Sequence, residues 1–170
     1  MLQRSALPIV KSISSVAEAD AAKSRAHDLE SEGRIPEAVC LWKAIVRFDP
    51  GLYHAMPLEK LAEHFEEQED WERADSAHRF AIMLDPDLAS KVTNYAALLI
   101  DLKKYREAYT LLKPVTEADG HAYGDATILL REIESSVGKE LPRLWDCEPL
   151  DTNSVAKATA EELKHFLEGL

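Results

Sequence analysis

Six histidines, at positions 27, 54, 64, 78, 121 and 165, are the side chains of this chain best suited to hold a metal ion or carry a proton. A helix offers two imidazoles to one ion only when they stand three or four residues apart, and no pair in this sequence does. Each histidine therefore reads as structural or solvated. A thiol becomes a nucleophile when a nearby cation, base or helix terminus favours its thiolate. Cys40 instead falls within an apolar helical stretch, and Cys147 follows Trp145 in a segment with no identifiable base. The two thiols read as reduced, in a cytosol-like compartment. Gly-rich phosphate loops, nucleophile elbows and paired-His zinc helices are all missing from the sequence. The chain is expected to be no enzyme, to have no catalytic residues, and to use neither metal nor cofactor.

The titratable residues that do cluster are acidic. Between Glu59 and Asp75 eight acids stand against Lys60 and Arg73, a local net of −6 within a chain whose formal charge is −11. Such a field repels phosphate, which excludes nucleic acid as partner, and it disfavours an anionic membrane surface. It would steer a cationic polypeptide. No stretch approaches the roughly 20 apolar residues of a membrane span. Residues 1–18 read as a solvated tail. The acid-free, Ser-rich start with Arg4 and Lys11 leaves organelle targeting as the alternative to a cytoplasmic location.

The elements that would position these acids repeat. Ala38, Ala74 and Ala108 lie 36 and then 34 residues apart, and Ile35, Trp71 and Tyr105 before them keep the same steps. Asp49-Pro50 and Asp85-Pro86 close the first two copies. A period near 34 with this pattern predicts paired antiparallel helices. In the second copy, helix A is expected from Met56 to Glu67, with Leu58, Leu61, Ala62 and Phe65 on one stripe. Helix B follows from Trp71 to Leu84, with Ala74, Ala77, His78, Ala81 and Leu84 inward and Trp71 filling space between the helices. Apolar residues make up 46% of the chain and Gly is scarce, which suits an all-α fold.

On these residues the chain resembles the tetratricopeptide repeat (TPR) family. The matching positions are Ala26, Leu29, Gly33, Ala38, Trp42 and Pro50 in the first copy. They are Leu58, Leu61, Ala62, Phe65, Ala74, Ala81 and Pro86 in the second, and Val92, Tyr95, Ala96, Leu99, Tyr105 and Ala108 in the third. The resemblance implies a right-handed solenoid of about three repeats, at about 19–52, 55–88 and 89–120, within an array over 19–138. It also implies a concave groove lined by the A helices, in which a peptide or helix of another protein lies. Carried over one by one, the groove positions are Asp20, Lys23, His27 and Glu30, then Met56, Glu59, Glu63 and Glu66, then Ser90, Thr93, Asn94, Ala97 and Ile100. Glu59, Glu63 and Glu66 would make its middle acidic and select a basic or mixed basic–apolar segment. The family's carboxylate clamp is disfavoured, because Lys23, His27, Lys60, Ser90 and Asn94 occupy its five positions and only Lys23 matches.

Departures from the family pattern carry further expectations. Arg25 stands where a core Leu is usual, Glu69 and Lys103 replace the turn glycine, and Pro114 should kink or shorten the third helix B. Residues 121–137 should form a capping helix, since Pro142 takes the place of the fourth alanine. Residues 139–170 are expected to be a linker and an amphipathic helix opened by the capping box Thr159-Ala160-Glu161-Glu162. The apolar face Leu163, Phe166, Leu167 and Leu170 needs a dock: beside the capping helix as the first choice, in the groove, or on a second molecule. Three functions fit: a TPR adaptor or scaffold; a chaperone similar in size, repeat count and acidity to type III secretion translocator chaperones; or a structural subunit forming homo-oligomers through its C-terminal helix.

Overall fold

The computed structural model of the chain describes residues 12–86, 89–117, 122–138, 142, 145 and 155–170, and their regular structure is all α-helical. The helices are α1 (Val16–Ser31), α2 (Ile35–Phe48), α3 (Met56–Glu67), α4 (Trp71–Leu84), α5 (Ala89–Asp101), α6 (Tyr105–Glu117), α7 (Ala122–Val137) and α8 (Ala160–Gly169). The N-terminal tail up to residue 11, His121, Cys147 and most of the expected linker lie outside the described residues.

Three helical hairpins, α1–α2, α3–α4 and α5–α6, pack in chain order, and α7 closes the series against α5 and α6. Their turns share one conformation. Gly33, Glu69 and Lys103 all take positive φ, at 73°, 57° and 59°. In each case the next N–H reaches back five residues at 2.8 Å: Arg34 to Leu29, Asp70 to Phe65 and Lys104 to Leu99. This Schellman closure needs a left-handed residue, which glycine adopts without a Cβ clash. Two copies adopt it with an L-residue instead. The marker alanines Ala38, Ala74 and Ala108 are fully buried, so paired helices close tightly around Trp42, Phe65, Phe80, Leu99 and Leu112.

The two extra residues of the first repeat step fall at a second left-handed turn. Tyr53, His54 and Ala55 each have φ 56°, and Asp49 Oδ1 accepts from the Gly51 N–H at 3.0 Å. Each such L-residue costs about 1–2 kcal/mol relative to its preferred region. Side-chain anchors hold two of them: Tyr53 Oη donates to Asp20 Oδ1 at 2.6 Å, and His54 Nδ1 stands 3.2 Å from Asp85 Oδ2.

Several sequence expectations change. Trp71 is 39% exposed at the start of α4 and does not fill the hairpin interior. Helix α6 runs through Pro114 to Glu117. Pro114 lies on the exposed side, where a carbonyl deprived of its helical donor can take water. Arg25 is exposed and paired with Glu32 at 3.2 Å. Helix α8 does carry the expected capping box, with Thr159 Oγ1 accepting from the Glu162 N–H. Within the chain its dock is neither the capping helix nor the groove. The Phe166 ring lies 5.2 Å from Phe80 and 6.3 Å from Phe65, and Lys43 Nζ donates to the Leu170 carbonyl at 3.4 Å. Trp145 meets Tyr109 at 5.5 Å, and the Lys157 carbonyl accepts from Arg79 at 2.7 Å. Trp145, Lys157 and α8 thus lie along the side of the hairpins formed by α6, α4 and α2.

Candidate partner-binding face

The expected groove residues divide by what they touch. On α1, Lys23 Nζ sits 4.0 Å from the Tyr53 ring centroid, beside the Tyr53–Asp20 bond. Burial, then the Asp20 bond, push the Tyr53 hydroxyl up to about 12. His27 is exposed, 3.2 Å from Glu30 Oε2 and edge-on to Trp42 at 5.0 Å. Glu30 also accepts from the Trp42 indole N–H at 2.8 Å, which ties α1 to α2.

On α3 the three glutamates have three different roles. Glu63 is exposed and accepts from Lys60 at 2.8 Å. Burial alone would lower the Lys60 ammonium, but Glu63, with Glu30 and Glu59 nearby, reverses this and raises it. Glu63 is thus the direct partner of Lys60, while Glu30 and Glu59 act on it through space. Glu59 turns toward α5, accepting from Asn94 Nδ2 at 3.1 Å and standing 3.8 Å from Lys91 Nζ. Lys91 is fully buried and also pairs with Asp85 at 3.3 Å, so these carboxylates neutralise an interior charge. Glu66 faces α4, with Oε1 2.6 Å from the buried His78 Nε2. The His78 ring stacks on Tyr95 at 5.7 Å, and Tyr95 Oη donates to Asp75 at 2.8 Å.

Met56 is half-buried against the core. On α5, Asn94 and Ser90 are exposed and Ala97 is half-buried. Thr93 and Ile100 do not line an open surface: both are buried, and Thr93 Oγ1 donates to the Ser90 carbonyl at 2.8 Å. The −6 run from Glu59 to Asp75 is also split, since Asp70 and Asp75 on the α4 side pair with Arg73 and Arg79. Sequence spacing placed Glu66 and Ile100 correctly on their helices but could not say which neighbour each would meet.

Between the first and second hairpins lies a cleft of about 250 Å³ that the sequence did not single out. Ile35, Ala38, Val39 and Trp42 form its apolar lining; Glu30, Glu63 and Glu67 supply acids, with Lys60 and His64 between. Burial lowers the His64 imidazole pKa, so it favours the neutral form. Such a site can seat an apolar side chain and pair its neighbouring cation. Among the described residues no group of three or more His, Cys, Asp or Glu side chains could hold a metal ion, and no helix is long and apolar enough to cross a membrane. The chain matches no protein-family model, no curated protein and no solved structure.

Proposed function

We propose that the chain is a TPR-type adaptor, a right-handed hairpin array that holds a basic–apolar segment of another protein on the face of α1, α3 and α5. The observation carrying this reading is the cleft between the first two hairpins. Its lining is apolar, and Glu30, Glu63 and Glu67 stand around it. A Leu or Phe side chain entering over Trp42 would place a flanking Lys or Arg within reach of those carboxylates. Glu59 and Glu66 contribute less than expected, because each already serves an interior cation or imidazole. The identical turns at Gly33, Glu69 and Lys103 support the repeat reading, since one backbone solution recurs at the sequence period.

The test is fluorescence anisotropy with two short peptides of matched length, one of Lys and Leu and one of Glu and Leu. The Lys/Leu peptide should bind, more weakly as salt rises, and charge reversal at Glu63 and Glu67 should abolish the preference. Equal binding of both peptides would refute the reading.

A further inference from the structure

Lys43 of α2 and Arg73 and Arg79 of α4 stand on the side on which α8 rests, together with Asp70 and Glu72. Arg73 pairs with Asp70 and Arg79 with Asp75, and Lys43 meets the end of α8. Arg73 lies 4.7 Å and Lys43 5.9 Å from the Phe65 ring centroid, so two cations flank one aromatic surface. Arg73 and Arg47 lie close enough to Lys43 to help burial lower its ammonium pKa. Helix α8 complements this surface. It carries Glu161, Glu162 and Glu168 against Lys164 alone. Its Phe166 seats edge-on against Phe65, at 86°, and the carbonyl end of the helix meets Lys43.

Helix α8 is also lightly attached. Its own capping box satisfies its first turn, so the helix does not depend on the body for its start. Its backbone runs beside the other helices less extensively than the hairpin helices run beside each other. Leu163 is its buried residue, while Phe166, Leu167 and Leu170 are partly covered. A cleft of about 510 Å³, lined by Arg73, Arg79, Phe80, His165 and Phe166 among others, remains between α8 and α4.

We propose that the α2/α4 surface is a helix-receiving groove which the α8 of a second copy also occupies, so that two chains associate by exchanging C-terminal helices. Every copy carries both the groove and the helix that fits it, and the exchanged contacts repeat those already made within one chain. The tethered helix wins at low concentration through its effective concentration, and exchange grows as protein concentration rises. Lys43, Arg73, Arg79 and Phe80 are not among the residues lining the cleft at Trp42, so the inference stands independently of the proposed peptide site.

Two full-length variants test it. Leu163→Ala with Phe166→Ala disables the helix; Lys43→Glu with Arg73→Glu disables the groove. Light scattering should find each variant monomeric alone, whereas their mixture should give a one-to-one dimer, because one supplies the groove and the other the helix. In a second measurement, a labelled peptide of residues 155–170 should bind the helix-disabled chain on the order of a hundredfold more tightly than wild type, whose groove is filled. This second measurement keeps the question decidable if the groove variant loses its helical circular dichroism. A mixture that stays monomeric with both variants folded would overturn the proposal. So would a helix-disabled chain that dimerises alone, or peptide binding equal to that of wild type.

Discussion

Replacing Phe65 with Ala should remove the strongest packing anchor of the middle hairpin. Phe65 is 1% exposed, and a buried Phe→Ala change costs about 3–5 kcal/mol. The edge-on contact with Phe166 adds roughly 0.5–1.5 kcal/mol, and the Arg73 cation over the ring about 0.5–1 kcal/mol. These contributions overlap, so the expected total is about 4–5 kcal/mol. That is a large share of the roughly 5–15 kcal/mol that stabilises a typical domain. At about 2–4 °C per kcal/mol for a chain of this size, the melting midpoint should fall by roughly 10–15 °C. Because each hairpin leans on the next, the loss should appear as one cooperative transition. Trp71→Ala is the internal comparison. With Trp71 39% exposed, its truncation should cost only about 1–2 kcal/mol. Urea unfolding followed by far-ultraviolet circular dichroism measures both. A Phe65→Ala cost under about 1 kcal/mol, or a Trp71→Ala cost equal to it, would refute this packing account.

Three further outcomes follow from the geometry. Glu69→Gly and Lys103→Gly should each stabilise the chain by about 0.5–1 kcal/mol in urea unfolding, because glycine relieves a left-handed L-residue. Gly33→Ala should do the opposite, and since no atom lies within 4 Å of the added Cβ the effect would come from the backbone alone. Glu66→Ala should cost about 1–3 kcal/mol by leaving buried His78 without its partner, whereas Glu63→Ala should shift the melting midpoint little. The Thr159 hydroxyl and N–H hold the Glu162 carboxyl below its ordinary 4.5, so its contribution to α8 is complete above that value and lost as pH falls below it. Hydrogen exchange of α8 amides against pH should show that loss, and Thr159→Val should flatten it.

The fold was legible where the sequence signal is local. The bounds of α3 and α4, the buried alanines at 38, 74 and 108, and the capping box at Thr159 all follow from helical period and terminus chemistry. Gly33 marks its turn, and the same turn at Glu69 and Lys103 could be placed by period alone. What stayed hidden depends on pairs far apart in the chain. Lys91 looks like a surface lysine until Glu59 and Asp85 are brought to it. Glu66 looks like a solvated acid until His78 closes on it from α4. The seat of α8 on Phe65 and Phe80 was unreadable for the same reason, since an apolar stripe announces that it will be covered but not by what. The proposed peptide site was half legible: the acids were visible, but the cleft that arranges three of them around Trp42 exists only once the hairpins stack.

The Trp42 indole N–H tests the central claim most directly, because it donates to Glu30 at the cleft. In a nitrogen-15 spectrum of the intact chain, titration with the Lys/Leu peptide should move that resonance saturably, together with amides around Lys60 and Glu63, while α8 amides stay in place. An unmoved Trp42 indole at saturation, or shifts gathered instead on α8 and α4, would contradict the assignment of this face as the partner-binding site.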